Sequence, residues 1–253
     1  MTRILLINPN TSQSVTDRIA AAARDAASAE TALSFATASY GVPYIATRAE
    51  AAIGGRVALE MLAERVGQFD AAVIAAFGDP GLGGARELMP VPVIGLAEAA
   101  MLTACMLGRR FAIVSFATAL GPWYRECVEY HGLTGRLAGI SLLDGPFRDI
   151  GDVQAEKEAL LVGLAHRAIE QDGADVVILA GAPLAGLAQV VADRIPVPVI
   201  DGVVAAVKQA ELLAYMNLRK ATAGSFRRPD PKTVTGVAPA LAALISGKDI
   251  ASS

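Results

Sequence analysis

The stretch at residues 70–100, DAAVIAAFGDPGLGGARELMPVPVIGLAEAA, decides the fold of this chain. It contains two short apolar runs, at residues 71–76 and 91–96, that have the composition of buried strands. A loop rich in glycine and proline, FGDPGL, and a short helical segment connect these runs, so the pattern predicts one parallel βαβ unit. Because ligands of such units bind at the carboxyl ends of the strands, the FGDPGL loop is the first candidate site.

The same unit recurs at residues 175–206, DVVILAGAPLAGLAQVVADRIPVPVIDGVVAA. The string PVPVI occurs in both copies, VI at 73–74 is matched by VI at 177–178, PGL at 80–82 by PL at 183–184, and RILLINPNT at 3–11 parallels RFAIVSFAT at 110–118. Two copies are too few for a stacked repeat array, so the pattern predicts a duplicated α/β domain. The alternative is that short strings from buried strands match by chance.

Duplication predicts two pseudo-symmetric lobes, each a parallel sheet flanked by helices, with a ligand cleft between them. We expect the loops at Asn8, Phe77, Ser115 and Gly181 to line this cleft. Lobe one is predicted at 1–98 and lobe two at 99–201, with 202–220 crossing back to lobe one. The tail at 221–253 is weakly specified, and we expect it to be partly mobile or to pack on a neighbouring subunit.

Composition excludes several classes of protein. The chain has 253 residues, of which 53% are hydrophobic and 5% aromatic, as in a buried parallel sheet covered by alanine-rich helices. A net charge of −3 without a basic run excludes an electrostatic surface for nucleic acid, and no apolar run predicts a membrane span. The first strand begins at Arg3, so we expect no signal peptide and a cytoplasmic protein. Two cysteines form no disulfide framework.

Four motifs together resemble the hydantoin and allantoin racemase branch of the aspartate/glutamate racemase superfamily. They are NPNTS at 8–12, the FGDPGL loop, PVIG followed by EAA at 92–100, and VIDG at 199–202. The resemblance spans nearly the whole chain, from Arg3 to about Leu218. It implies a two-lobed α/β fold, a small-molecule substrate between the lobes, no cofactor, and a homo-oligomer.

The chemistry that this resemblance implies is proton transfer at a carbon next to a carbonyl, by two cysteine thiols on opposite faces of the substrate. Both thiols are missing here, since Ala76 stands at the first position and Gly181 at the second. Cys105 and Cys127 fall in predicted helices, where free cysteines are usually packing residues. Removal by engineering would explain Ala76, but the whole GAPLAGL string departs from the family pattern, which favours a natural branch with changed chemistry.

Two carboxylates are candidates for acid/base chemistry without thiols. Asp79 is a candidate general base or holds a water; alternatively, it caps the following helix or closes the turn before Pro80. Glu98 either points into the cleft or favours the positive end of its own helix, and Asp201 has a similar place in lobe two.

The candidate binding groups lie at the carboxyl ends of strands. Amide and hydroxyl groups pair well with ring carbonyl and N–H groups, and glycine lets backbone N–H groups approach a ligand closely. Tyr44 either closes the pocket or lies on a surface loop. His131 and His166 each stand alone in helical segments, so no metal site is predicted. The predicted binding residues are Asn8, Tyr44, Ala76, Phe77, Gly78, Ser115, Thr118, Gly181 and Ala182.

Three functions remain open from the sequence. The first is a hydantoin-racemase-like enzyme that acts on a small cyclic ureide by cofactor-independent acid/base chemistry. The second is a hydrolase or lyase in the same pocket, catalysing ring hydrolysis, desulfuration or decarboxylation. The third is a ligand-binding homologue without catalysis. Fold alone does not decide among them, because function belongs to the site.

Overall fold

The computed structural model describes residues 1–145 and 149–247, and within them the chain forms two parallel four-stranded sheets. The strands are β1 (Thr2–Asn8), β2 (Thr31–Thr37), β3 (Ala71–Ile74), β4 (Val93–Gly95), β5 (Phe111–Ser115), β6 (Leu137–Leu142), β7 (Val176–Leu179) and β8 (Val199–Asp201). The first sheet has the order β2-β1-β3-β4 and the second the order β6-β5-β7-β8. The predicted α/β class with two pseudo-symmetric parallel sheets is therefore confirmed.

Helices connect the strands and cover both sheets. They are α1 (Gln13–Ala26), α2 (Arg48–Ala63), α3 (Leu82–Leu88), α4 (Leu96–Leu107), α5 (Gly121–Tyr130), α6 (Val153–Asp172), α7 (Leu187–Val191), α8 (Gly202–Met216) and α9 (Pro239–Ile245). The side chain of Ser12 caps α1, and Thr47 with Glu50 forms a capping box that starts α2. No helix in the described part of the chain is long and apolar enough to cross a membrane.

Strand register shows which residues of the two lobes are equivalent. Ile74 pairs with β1 as Leu179 pairs with β5, so Ile74 corresponds to Leu179. The match of Ile74 with Ile178 expected from the sequence is therefore wrong by one residue. The loops follow the same shift, because Gly81 and Gly186 start the equivalent helices α3 and α7, both with positive φ, at +80° and +86°. Gly81 thus corresponds to Gly186, and the expected match of PGL with PL at 183–184 is wrong.

The lobes exchange helices. The helix that follows the last strand of the first sheet, α4, packs against β5, β7 and β8 of the second sheet. Its counterpart α8 follows the second sheet and packs against β1, β3 and β4 of the first, and the two helices pack against each other. One continuous apolar core consequently runs through both lobes.

The tail packs on its own chain. Leu241 and Leu244 of α9 are buried against α2. The Glu60 carboxylate in α2 accepts a hydrogen bond from the N–H of Ala238 at 3.0 Å, and Arg56 donates to the carbonyl of Gly236 at 2.6 Å. The described tail therefore covers part of lobe one of its own chain. Residues 248–253 lie outside the described residues.

Candidate active site

Ala76 and Gly181, the positions at which the resemblance implies thiols, line one small cavity between the lobes. Ala76 lies two residues beyond β3 and Gly181 two residues beyond β7, at equivalent places in the two sheets. The cavity has a volume of about 20 Å³, room for roughly one water molecule. Its lining consists of Asn10, Tyr44, Ile45, Ala76, Phe77, Phe116, Trp123, Tyr124, Gly181, Ala182 and Pro183.

Aromatic rings fill most of this inter-lobe cleft. The rings of Tyr44 and Phe116 have centroids 5.8 Å apart, and those of Phe77 and Tyr124 are 4.8 Å apart. Tyr124 also contacts Trp123, with centroids 5.8 Å apart. Tilted pairs of this kind stabilise one another beyond their simple burial, so packed aromatic rings form one wall of the cleft.

Two glycines allow the rings to approach the backbone. A Cβ on Gly78 would lie 2.3 Å from the Trp123 ring, and a Cβ on Gly181 would lie 3.0 Å from Phe116 Cε1. Both glycines have positive φ, at +107° and +112°, which disfavours any side chain. Gly181 therefore belongs to a local backbone and packing arrangement that excludes a cysteine without adjustment.

Two hydroxyl groups, those of Tyr124 and Ser115, lie close to Gly181, where the resemblance implies the second thiol. The Tyr124 hydroxyl is 3.5 Å from the place where a Cβ on Gly181 would stand, with the Ser115 side chain beside it. Ser115 in turn donates to the carbonyl of Ala180 at 2.7 Å. The Ser115 proton is thus engaged with Ala180, and the Tyr124 phenol can donate one hydrogen bond and accept others. Burial raises the pKa of Tyr124 well above its ordinary value, so it stays a neutral phenol.

The structure brings together some of the predicted binding residues and not others. Asn8 is buried at the carboxyl end of β1, where its amide donates to Asn10 and to Thr16, both at 3.0 Å. Thr118 is exposed in a 3-10 turn after β5, outside the cleft lining. Asn10, which the sequence reading passed over, lines the cleft instead of Asn8. Those that line it as predicted are Tyr44, Ala76, Phe77, Gly181 and Ala182.

A larger cavity of about 490 Å³, called here the outer cavity, lies on the other side of Trp123. Trp123 lines both cavities, whereas Gly78 lines only this one. Its lining is Arg48, Ala51, Ala52, Gly78, Asp79, Pro80, Gly81, Leu82, Gly83, Gly84, Trp123, Glu126, Cys127, Tyr130 and His131. The FGDPGL loop thus separates two spaces, with its first residues on the cleft and the rest on the outer cavity.

Asp79 caps a helix, but a different one from the helix expected. Its two carboxylate oxygens accept hydrogen bonds from the backbone N–H groups of Ala97 and Glu98, both at 2.8 Å, so it caps α4 instead of the following helix α3. Asp79 has φ +52°, a left-handed conformation that is uncommon for residues other than glycine. This geometry places the carboxylate on the outer cavity and not in the inter-lobe cleft.

His131 joins Asp79 and Glu98. Its Nε2 lies 3.2 Å from Asp79 Oδ2 and its Nδ1 lies 3.4 Å from Glu98 Oε1. Burial alone would lower the pKa of His131, but hydrogen bonds to Asp79 and Glu98 outweigh it and raise the pKa to about 9. The imidazole is therefore a cation near neutral pH, held between two carboxylates.

Glu98 is fully engaged in ion pairs. Arg86 donates to both of its oxygens. Burial would raise the pKa of Glu98, but hydrogen bonds from His131 and Arg86 lower it to about 2. A carboxylate with so low a pKa is a weak base, and Glu98 lies outside the lining of both cavities. The structure thus places neither predicted catalytic carboxylate in the inter-lobe cleft.

The cysteines do not replace the missing thiols. Cys127 is buried, and burial together with Asp79 and Glu98 raises the pKa of its thiol, which disfavours the thiolate. Cys105 is half-buried in α4, outside both cavities. Sequence reasoning missed His131, although one signal was present: Cys127 and His131 are four residues apart, a spacing that puts two helical side chains on one face.

These observations define a two-lobed parallel α/β protein whose ligand cleft lies where the strands of both sheets end. The chain belongs to the Asp/Glu/hydantoin racemase family, whose model matches residues 4–210. It is 36% identical over 91% of its length to a hydantoin racemase of Paenarthrobacter aurescens, of which it covers 98%.

Two solved structures show how closely the fold is shared. An allantoin racemase from Klebsiella pneumoniae matches 93% of this chain and 97% of its own, with a TM-score of 0.88 and 37% identity. The allantoin racemase of Pseudomonas fluorescens matches 93% of this chain and 100% of its own, with a TM-score of 0.85 and 30% identity. Relatives of this kind support a racemase-like function.

Proposed function

We propose that this protein is a hydantoin-racemase-like enzyme that acts on a small cyclic ureide, a 5-substituted hydantoin or an allantoin, without cysteine thiols or a cofactor. The observation that carries the proposal is the cleft itself, in a chain whose relatives are named hydantoin and allantoin racemases. Ala76 and Gly181 line one cavity at the equivalent ends of β3 and β7. The binding position is thus kept while both thiols are absent.

Tyr124 supports a ligand that carries N–H groups. Its phenol oxygen lies beside Gly181 on the lining of the cleft and offers lone pairs to a donor there. A cyclic ureide has both ring N–H groups and carbonyl oxygens. We assign the N–H recognition to Tyr124 and the carbonyl recognition to backbone N–H groups at Phe77 and Gly181-Ala182, which line the cleft, with the flat ring held between aromatic side chains.

Proton transfer in this cleft would use water. Among the described residues that line it, none carries a thiol, carboxylate, imidazole or amine. A bound water that takes the proton from C5 and returns one would be a weak base, and we expect exchange far slower than a thiolate supports. The room of about 20 Å³ also requires the lobes or the aromatic rings to move before a five-membered ring can enter.

The test is proton NMR of a hydantoin and allantoin panel in heavy water, with and without protein. We expect the C5 proton of at least one compound to exchange faster than in the protein-free control. Tyr124→Phe keeps the ring but removes the acceptor, and it should weaken binding of that compound measured by calorimetry. Exchange at the control rate for the whole panel contradicts racemase-like catalysis.

The absence of a thiol, carboxylate, imidazole or amine in the described cleft lining also favours a second candidate, a ureide-binding protein without catalysis. Calorimetry separates the two. Binding that Tyr124→Phe weakens, together with exchange at the control rate, would identify the binding protein. No binding of any ureide would contradict both candidates.

A further inference from the structure

A second cluster of reactive side chains stands apart from the inter-lobe cleft. Asp79, Cys127 and His131 each direct a donor atom to one point on the wall of the outer cavity, and these atoms all lie within 4.8 Å of one another. None of the three lines the inter-lobe cleft, which lies across the Trp123 ring. The function proposed above uses none of them.

The donors come from two rigid supports. Cys127 and His131 are four residues apart at the end of α5, so they share one helical face, the spacing by which helices commonly present two metal ligands. Asp79 is fixed from the other side by the two N–H groups at the start of α4. Its Oδ2 is already 3.2 Å from His131 Nε2, close to the separation of two donors on one tetrahedral ion.

The surroundings of His131 match those of a metal-bound histidine. Such a residue usually donates its other ring N–H to a carboxylate, which fixes the ring and the tautomer. Here Nδ1 lies 3.4 Å from Glu98 Oε1, and Arg86 holds Glu98 with hydrogen bonds to both oxygens. Nε2 is thereby the nitrogen turned towards Asp79 and Cys127.

We propose that Asp79, Cys127 and His131 bind one zinc-class divalent ion, with Asp79 Oδ2, Cys127 Sγ and His131 Nε2 as ligands. Binding releases two protons, one from the Cys127 thiol and one from His131 Nε2, because both groups coordinate in their deprotonated forms. One oxygen, one nitrogen and one sulfur suit zinc or cobalt better than magnesium or calcium. Three protein ligands leave a fourth position open to the outer cavity, as in sites where a water or a substrate completes the tetrahedron.

The experiment is titration of the full-length, chelator-treated protein with Co²⁺, followed by competition with Zn²⁺. Wild type should show a thiolate-to-cobalt charge-transfer band and tetrahedral visible bands at one equivalent, and Zn²⁺ should abolish them. Cys127→Ser should lose the charge-transfer band and bind Zn²⁺ at least tenfold more weakly. Cys105→Ser is the matched control, since that cysteine lies in α4 outside the cluster, and it should behave as wild type.

A further variant separates direct ligation from support. Glu98→Gln should keep the charge-transfer band while weakening zinc affinity about 10- to 100-fold, because it acts only through His131. Circular dichroism of each metal-free variant checks that it is folded. Absence of the band in wild type, or a folded Cys127→Ser protein with unchanged zinc affinity, overturns the proposal.

Discussion

The two lobes place a carboxylate at the start of equivalent helices in different ways. In lobe two, Asp201 is itself the N-cap of α8 and accepts from the N–H groups of Val203 and Val204. In lobe one the N-cap of α4 is Gly95, and the carboxylate comes from Asp79 in the loop after β3. Both arrangements put a negative charge at the positive end of a helix.

The two solutions exclude each other in space. Gly95 pairs with Ile74 as Asp201 pairs with Leu179, so the two N-cap residues are equivalent. A Cβ on Gly95 would lie 2.4 Å from the Asp79 carboxylate, which shows that Asp79 fills the space that an aspartate at the N-cap would need.

The difference has a consequence for how the lobes are joined. The second carboxylate oxygen of Asp201 accepts a hydrogen bond from the N–H of Gly186, in the same lobe, at 2.6 Å. Asp79 instead reaches His131 at the end of α5, a helix that follows β5 of the second sheet. Because Asp79 caps α4 from a loop, it also links the two lobes through His131. Asp201, which caps α8 from the N-cap position, bonds to Gly186 within its own lobe instead.

The largest loss in the free energy of unfolding should follow removal of Asp79, which links the two lobes through His131. Asp79→Ala leaves two N–H groups of α4 without an acceptor and removes one of the two carboxylates beside the His131 cation. Removing one partner of a buried pair costs about 3–5 kcal/mol in the free energy of unfolding. Urea denaturation of the metal-free protein measures it, with Asp193→Ala as an exposed aspartate control. A loss no larger than that control would show that this link does not stabilise the protein.

A smaller loss is expected in lobe two. Asp201→Ala removes the acceptor of Gly186, Val203 and Val204 but leaves no buried cation behind. Loss of a helix cap costs about 1–2 kcal/mol. The same urea series measures it. If Asp201→Ala costs as much as Asp79→Ala, capping alone accounts for both effects, and the comparison between the lobes fails.

Moving the capping aspartate of lobe one to the N-cap position, as in lobe two, should recover part of the lost free energy of unfolding. Leu184 stands where lobe one has Asp79, so Asp79→Leu with Gly95→Asp copies lobe two. We expect the double variant to be about 1 kcal/mol more stable than Asp79→Leu alone, because the α4 N–H groups regain an acceptor while His131 does not. A double-mutant cycle in urea gives the coupling. Additive losses would refute the equivalence of the two caps.

The smallest predicted effect on stability concerns Glu211, which anchors α8 to lobe one, and this effect depends on pH. Glu211 accepts hydrogen bonds from the Ser28 N–H at 2.7 Å and from Thr31 Oγ1 at 2.6 Å. Burial would raise its pKa, but these bonds outweigh burial and lower the pKa to about 2. The folded-state pKa is below the ordinary value of 4.5 for a glutamate, so this stabilisation is present above pH 4.5 and is lost as pH falls towards 2.

Unfolding free energies of wild type and Glu211→Gln across this pH range measure the contribution of the anchor. The two curves should differ most near neutral pH and converge towards pH 2, because the wild-type carboxyl is then protonated. A constant difference over the range would show that ionisation of Glu211 does not contribute.

The sequence predicted what depends on local pattern. The repeated PVPVI strings and the loops that follow the apolar runs placed both sheets, since strand burial and turn residues are encoded over a few neighbouring positions. Contacts between segments that are far apart in the sequence could not be predicted from such local patterns. Asp79 meets Ala97 beyond the ends of the paired strands β3 and β4, and it meets His131 because the two lobes dock. Only the spacing of Cys127 and His131 indicated a shared face. The same limit explains why the docking of α9 on α2 was missed.

The exchange of α4 and α8 constrains the order in which the chain can fold as it is synthesised. The first sheet is complete by Gly95, yet the helix that covers β1 and β3 ends only at Met216. Until then, one face of that sheet exposes apolar side chains, among them Ile4, Leu6 and Val73, that are buried in the finished protein. The second sheet, by contrast, receives α4 before its own first strand is made. The lobe that is translated first is therefore finished last, and during that interval it is the part of the nascent chain most prone to aggregation.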